Sequence, residues 1–308
     1  MKIRKTLVLA ILAGIMALAQ PITPVFAANS AAAGKTASAA SAAADKVSVD
    51  KVISTIIAAY EKKDALSDWE AYGLLLNGKT PPKSYFTALD KTVKTAKGSF
   101  RTVTDYARLA IVYRAAGYNP SKAAGYDLIK GIYSYDNINK QGLMGPVWAL
   151  IALNGQTLPK NAKWNADNLA GEILKYQVPA LNGGFSLTTG KSAKADLDAT
   201  CMAVAALTAA KDALKDDANA QKAVGSAMKY LALSDSADKI KKTSEAVSQY
   251  IIALCAMGAD AKDWVNTLLG FKLADGTFSH IKGGKSDSMA TEQALLALTA
   301  YEKGGKIY

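Results

Sequence analysis

The chain has 308 residues, a formal net charge of +11 and apolar side chains at half of its positions. Its lysines are scattered and are not interleaved with clusters of arginine and aromatic residues, so the composition argues against a nucleic-acid-binding surface. Long runs that alternate apolar and polar residues are absent, whereas alanine and leucine recur at helical spacing. This pattern predicts an all-α protein.

The N-terminus has the features of a secretory signal peptide. Lys2, Arg4 and Lys5 precede an apolar run over 7–19 that is too short to span a membrane, and small residues lead up to Ala27. We predict cleavage after Ala27 and export of the mature chain, in which no further apolar stretch is long enough to form a transmembrane segment.

The predicted organisation is a signal peptide over 1–27, a flexible linker over 28–46 and one folded domain over 47–308. The linker is rich in alanine and serine and carries no large apolar side chain. The predicted location is secreted or extracellular. The basic charge is compatible with association with an anionic cell-wall polymer, although a solvated surface is the favoured interpretation.

Two cysteines, Cys201 and Cys255, lie inside apolar helical segments of a chain predicted to enter an oxidising compartment. One is near the start of its segment and the other near the end. If neighbouring helices run parallel, their sulfurs differ in height by about 10 Å. A disulfide tolerates much less separation, so we predict two buried free thiols.

Six apolar segments share one plan: a polar residue at the start, about three turns of helix, and in most copies a closing glycine. They cover 67–78, 104–117, 145–155, 198–210, 244–258 and 288–304. Between them lie segments with one apolar stripe and one charged face, at 51–63, 84–96, 125–134, 164–177, 220–233 and 263–273.

This alternation predicts an (α/α)6 toroid, an inner ring of six parallel helices surrounded by six half-exposed ones. An open α-solenoid built from the same hairpins is the alternative. Side chains suited to cap a helix begin most inner segments, and glycine ends most of them. The predicted N-caps are Ser67, Thr104, Asp198, Ser244, and Ser288 or Asp287.

A glycine-aromatic loop occurs twice before an inner segment. Gly183-Gly184-Phe185 precedes Asp196-Leu197-Asp198-Ala199-Thr200, and Asp275-Gly276-Thr277-Phe278 precedes the last segment. This phrase resembles the repeat of the protein prenyltransferase β-subunit and terpene (squalene) cyclase superfamily. Gln177 is similarly placed to the glutamine of that superfamily's Gln-to-Trp motif, with Phe replacing Trp, and Lys272 stands where the second glutamine would fall.

The resemblance covers about 50–308 and implies the toroid fold, as in exported bacterial domains of this group. Some relatives carry an added β-domain like that of the corrinoid carriers, which this sequence does not show. Zinc-dependent prenyl transfer would require a histidine ligand where Ala199 stands. The single histidine, His280, lies in a loop, so we expect no metal and no cofactor.

Proton-initiated cyclisation is the closer catalytic alternative. The resemblance implies a D-x-D-D motif, of which Asp196 and Asp198 are present and the last acid is missing, with Asp198 as general acid. The competing interpretation is that Asp198 caps its helix. An inverting glycosidase with paired carboxylates is a further alternative, but acids in the first turns of helices also arise from capping and helix dipoles.

A lined cleft at the mouth of the inner ring is the principal site hypothesis. Aromatic, basic and acidic side chains on inner segments would contribute to it: Trp69, Tyr72, Tyr106, Arg108, Trp148, Tyr250, Glu245 and Glu292. The leading functional hypothesis is a non-catalytic exported domain that binds a bulky hydrophobic small molecule, a corrinoid or a cell-surface partner there. The alternatives are an isoprenoid cyclase or transferase and an adhesion or assembly module acting through its outer surface.

Overall fold

The computed structural model describes residues 38–178, 183–215 and 217–308. The chain divides into two units, Met1–Val47 and Ser48–Tyr308. The hydrophobic core and the cavities lie in the second unit. The predicted signal peptide and the first part of the predicted linker, up to residue 37, lie outside the described residues. Helix α1 (Ser38–Tyr60) begins inside the predicted linker range, where alanine, the strongest helix former, is abundant.

The described residues contain thirteen α-helices, several short 3-10 turns and two short strands. After α1 the helices are α2 (Asp68–Leu76), α3 (Lys83–Thr95), α4 (Val103–Ala115), α5 (Leu128–Tyr133), α6 (Met144–Leu153), α7 (Ala166–Leu174), α8 (Leu197–Ala209), α9 (Ala218–Leu231), α10 (Ser234–Ile240), α11 (Ser244–Ala256), α12 (Lys262–Leu269) and α13 (Ser288–Glu302). The strands, β1 (Phe278–Ser279) and β2 (Ser286–Asp287), pair antiparallel. The all-α prediction is confirmed at this level.

The six predicted apolar segments form α2, α4, α6, α8, α11 and α13, which we call the core helices. Each contacts the next one along the chain, and α13 contacts α2, so that the series of contacts returns to its start. Core helix α6 is buried at every position except Met144 and Trp148. The flanking helices bury only one stripe, as α3 does with Tyr85, Leu89 and Val93.

Five closing glycines were predicted to end core helices in the left-handed conformation, and they do. Their φ angles lie between 58° and 78°, a range that a side chain would strain; they are Gly78, Gly117, Gly155, Gly258 and Gly304. Cys201 and Cys255 are both buried and unpaired. Within the described residues, no helix combines the length and apolar character required to cross a bilayer.

Caps were predicted for five core helices, and three of them need correction. Ser67 caps α2 as predicted, in a full capping box with Glu70. Asp287, one of the two residues predicted for α13, caps that helix. The caps of α4, α8 and α11 lie one or two residues before the predicted Thr104, Asp198 and Ser244, at Thr102, Asp196 and Thr243.

Asp196, not Asp198, is therefore the cap of α8, because its carboxylate accepts the Ala199 N–H at 2.8 Å. Asp196→Ala is expected to lower the free energy of unfolding by about 1 kcal/mol. Asp198→Ala is expected to change it by no more than about 0.5 kcal/mol. Urea unfolding of the two variants checks this, and a larger loss for Asp198→Ala would show that the predicted cap was right.

The two glycine-aromatic loops fold alike. Phe185 forms a β-bridge with Gln177, and Phe278 forms one with Lys272, which confirms the predicted alignment of these positions. In the first copy the Phe185 N–H donates to the Thr200 hydroxyl at 2.8 Å. That hydroxyl lies near both the Phe185 and the Asp196 carbonyl oxygens.

The second copy repeats this arrangement. The Phe278 N–H donates to Thr291 at 3.0 Å, and the Thr291 hydroxyl donates to the Asp287 carbonyl at 2.7 Å. A threonine one turn into the helix thus fixes the loop to the helix that follows. This shared geometry is the physical reason for the repeated sequence phrase.

Candidate functional site

A cavity of about 230 Å³ lies among the N-terminal halves of α2, α4 and α6. It is lined by Trp69, Thr104, Arg108 and Trp148, and we call it the aromatic cavity. Trp69 and Trp148 are both half-buried. Their ring centroids are 5.0 Å apart with planes tilted by 37°, which is within the range of favourable aromatic contacts.

Arg108 enters the aromatic cavity already paired with acids. Its guanidinium forms a close ion pair with Asp68 and a longer one, at 3.4 Å, with Asp105. Tyr85 donates its hydroxyl to Asp68 at 2.6 Å, which fixes that carboxylate from the α3 side. Burial lowers the pKa of Arg108, and the two carboxylates compensate its charge.

The aromatic contacts continue from the cavity to the segment 304–308. The ring of Tyr72 is edge-on to Trp69 at 6.0 Å, and its hydroxyl donates to the Ile307 carbonyl. Trp148 contacts Tyr308 edge-on, also at 6.0 Å. A second cavity of about 380 Å³ lies beside Tyr72 and Tyr308. Burial raises the pKa of the Tyr72 hydroxyl to about 12.

Tyr106 and Tyr250 pack between core and flanking helices instead. Tyr106 lies edge-on to Phe100 at 5.0 Å, and its hydroxyl accepts the Phe100 N–H at 3.0 Å. Tyr250 lies edge-on to Trp264 of α12 at 4.6 Å. Neither tyrosine lines the aromatic cavity, and both have ring contacts that account for their burial.

The acids of α8 and α11 form a separate group. Asp198 is exposed as a residue, yet protein atoms around its carboxyl remove part of its hydration. This desolvation, with repulsion from Asp196 and Glu245, raises the pKa of Asp198 to about 6. Glu245 is mostly buried and lies 2.9 Å from Nδ1 of His280.

The pair formed by His280 and Glu245 gives a pH-dependent prediction. The hydrogen bond and charge of Glu245 raise the pKa of His280 above 6.5. A histidine whose pKa is raised by folding contributes stability below its unfolded pKa, and this contribution is lost as pH rises through the folded value. NMR titration of the single histidine in an untagged chain should give a pKa above 6.5, and Glu245→Gln should lower it.

Glu292 is placed near α2 rather than near Asp198. Its carboxylate accepts the Ser67 hydroxyl at 2.6 Å. Burial raises the pKa of Glu292, and Glu70 contributes to the increase. The eight predicted cleft residues therefore do not form one site. Trp69, Tyr72, Arg108 and Trp148 lie together, whereas Tyr106 and Tyr250 pack against other rings. Glu245 lies with the predicted catalytic residues Asp196 and Asp198, and Glu292 lies beside Ser67.

Comparisons with models of known families, with curated proteins and with solved structures find no match to this chain. The resemblance to the prenyltransferase and cyclase superfamily therefore stays a prediction. Among the described residues, no group of three or more His, Cys, Asp or Glu side chains is placed to share a metal ion.

Two features of this region were missed by the sequence analysis. Thr104, predicted as a helix cap, instead lines the aromatic cavity, and its hydroxyl donates to Gln141 at 2.9 Å. Ile307 and Tyr308 lie beyond the last predicted helix, yet Ile307 is only 2% exposed. Two large apolar side chains directly after a polar glycine-rich turn were the available signal for a docked segment.

Proposed function

We propose that this chain is an exported α/α toroid domain whose aromatic cavity binds an uncharged apolar part of a small molecule without transforming it. The support for the toroid is the series of contacts among core helices, which runs from α2 to α13 and back to α2. The support for export is the sequence over 1–27, with its basic start and short apolar run.

The observation that carries the binding proposal is the tryptophan pair at the aromatic cavity. Trp69 and Trp148 are half-buried and face each other at 5.0 Å beside free volume. By contrast, the rings of Phe185, Phe271 and Phe278 are fully covered by the core. Partly covered tryptophans at a cavity offer a large apolar surface to a ligand.

The charges at the cavity favour a neutral ligand. Arg108 is the basic residue of the lining, and Asp68 and Asp105 already compensate it. A diphosphate would have to displace or overcome both carboxylates. Support for a prenyl diphosphate substrate is therefore weak, whereas an uncharged isoprenoid alcohol or ring meets no such obstacle.

The size of the cavity restricts the ligand further. Cavities of about 150 Å³ hold a benzene ring, and sites for drug-sized ligands occupy about 300–1,000 Å³. At about 230 Å³, the aromatic cavity has room for one ring or the end of an isoprenoid chain. A whole corrinoid is much larger, so the volume favours the apolar-ligand alternative over the corrinoid one.

Farnesol tests this proposal as a defined probe, alongside native mass spectrometry of the protein purified from its host. Binding should quench tryptophan fluorescence in a saturable manner, because two of the four tryptophans line the cavity. Trp148→Leu should abolish saturable binding. Trp164→Leu is the matched control, because Trp164 lies just before α7, does not line the cavity, and donates its indole N–H to the Tyr135 carbonyl.

Equal binding by both variants would refute the assignment of the site. If Trp148→Leu leaves attachment to host cells unchanged while no small molecule binds or co-purifies, the adhesion alternative is favoured. A cell-surface partner would then act through another face of the domain.

Catalysis at Asp198 is the second candidate, and one observation favours it. Because Asp196 caps α8, capping no longer explains Asp198, whose pKa of about 6 suits an acid that transfers protons near neutrality. If the chain turns over a polyene substrate, Asp198→Asn should abolish turnover while thermal unfolding stays unchanged. Retained turnover in that variant would exclude Asp198 as the general acid.

A further inference from the structure

A separate cavity of about 450 Å³ lies between α1, the start of α2, the loop 275–277 and the start of α13. Its volume is within the range of small-molecule sites. Six hydroxyl side chains line it: Thr55, Tyr60, Thr277, Ser286, Ser288 and Thr291. We call it the hydroxyl pocket.

The hydroxyl of Tyr60 is an unsatisfied polar group in the wall of the hydroxyl pocket, with its oxygen closed off from solvent. Tyr60 is 4% exposed, and no group in the described part of the chain forms a hydrogen bond with its hydroxyl. A buried polar group without a partner is uncommon and costs stability. Burial raises the pKa of this hydroxyl, and the carboxylates of Glu70 and Glu292 raise it further, so it stays protonated and able to donate.

The charged groups of the hydroxyl pocket already form hydrogen bonds within the protein. Glu70 accepts the Lys63 ammonium and the Ser67 N–H. The ammonium also lies 5.2 Å from the centroid of the Tyr60 ring. Asp275 accepts both the N–H and the hydroxyl of Thr277. The lining thus holds one ammonium, paired with Glu70, and two carboxylates, so the pocket favours a neutral ligand over an anionic one.

The walls combine hydroxyls with small apolar surfaces. Ile56 and Ala59 of α1 contribute apolar atoms. The loop 275–277 is held against α1, since a Cβ on Gly276 would come within 2.5 Å of the Thr55 side chain and its φ is +88°. The side chains of Ser286 and Ser288 form no hydrogen bond within the described residues and are exposed. The pocket therefore offers free hydroxyls on a constrained frame.

We propose that the hydroxyl pocket binds a neutral saccharide unit. A sugar presents several hydroxyls, each of which can donate and accept a hydrogen bond. The serine and threonine hydroxyls of the lining have the same capacity. A sugar also presents a C–H face that can lie against Ile56 and Ala59. The exposed hydroxyls of Ser286 and Ser288, which form no hydrogen bond within the described residues, are the ones left free to bond to the sugar.

The saccharide site is independent of the aromatic cavity. The two cavities share no lining residue. Both approach the start of α2, where Trp69 lines the aromatic cavity and Glu70 lines the hydroxyl pocket. Trp148→Leu should therefore leave saccharide binding unchanged. If the aromatic cavity fails to bind an apolar ligand, the saccharide proposal still stands, and the reverse also holds.

The first test uses the full chain with glucose, N-acetylglucosamine and its β-1,4-linked disaccharide as probes, followed by isothermal titration calorimetry and ligand-observed NMR. At least one probe should bind saturably with a Kd of about 1 mM or below. Ala59→Leu places a larger side chain in the hydroxyl pocket and should abolish binding. Ala58→Leu is the matched control, because Ala58 is an exposed neighbour that lines a different groove.

The second variant, Ser288→Ala, removes one of the exposed hydroxyls of the lining that form no hydrogen bond within the described residues. It should weaken saccharide binding by about tenfold, the effect of one lost hydrogen bond, without lowering the melting temperature. Ser84→Ala is its control, because Ser84 is exposed on α3 and does not line the pocket. The proposal is overturned if no probe binds, or if Ala59→Leu and Ala58→Leu bind equally.

Discussion

Replacing Phe185 with alanine is expected to lower the free energy of unfolding by about 3–5 kcal/mol. Phe185 is fully buried, and its ring is the apolar anchor of the loop that precedes α8. The alanine variant keeps the backbone N–H that donates to Thr200, so the loss reports the ring and the cavity it leaves. Urea unfolding followed by circular dichroism measures it.

The structural equivalence of the two loops extends this prediction to the second copy. Phe278 is also fully buried, and Phe278→Ala should cost a similar amount. Tyr118→Ala is the control, since Tyr118 is 54% exposed and should change stability far less. If Phe278→Ala proved as mild as Tyr118→Ala, the loop of the last copy would not be anchored as the first one is.

The order and the kind of elements were predictable from the sequence because burial leaves a periodic trace. Every predicted apolar segment overlaps a core helix and every striped segment a flanking one, and apart from α1 the helices begin within three residues of the predicted start. The helix α10 was missed, since Ser234–Ile240 is short and mostly polar and contributes little apolar periodicity. The β1–β2 pair was missed because two-residue strands carry no alternating pattern.

The helix caps show where local sequence preferences become ambiguous. Asp196 and Asp198 are both good cap residues, and only the backbone decides between them. Asp196 has an extended conformation with ψ of 137°, which places its carboxylate over the first free N–H groups. The same ambiguity separates Thr102 from Thr104, because both members of each pair are chemically suitable.

The direction of aromatic side chains was the least predictable part of the site. A core helix is apolar on nearly all sides, so its sequence does not reveal which face points toward which neighbour. Trp69 and Trp148 meet across α2 and α6, whereas Tyr250 turns toward α12. Only the packing of whole helices, set by many contacts together, distinguishes these orientations.

Replacing Ile307 with alanine is expected to lower the free energy of unfolding by about 2–5 kcal/mol, although it lies outside every helix. Ile307 is 2% exposed, and its carbonyl accepts the Tyr72 hydroxyl. The segment 304–308 bends through Gly305, whose φ is +85° and where a Cβ would come within 2.2 Å of the Cys255 carbonyl oxygen. This close approach requires glycine and directs Ile307 inward.

Lys306→Ala is the matched control for Ile307→Ala, because Lys306 is the exposed neighbour in the same segment. The alanine at 307 retains the backbone carbonyl for Tyr72, so the measured difference isolates the buried side chain. Thermal and urea unfolding should separate the two variants clearly. Because Tyr308 follows directly and contacts Trp148, loosening this segment should also shift the tryptophan emission of the folded protein. Equal stability and equal emission in both variants would mean that the segment does not pack beneath the tryptophan pair.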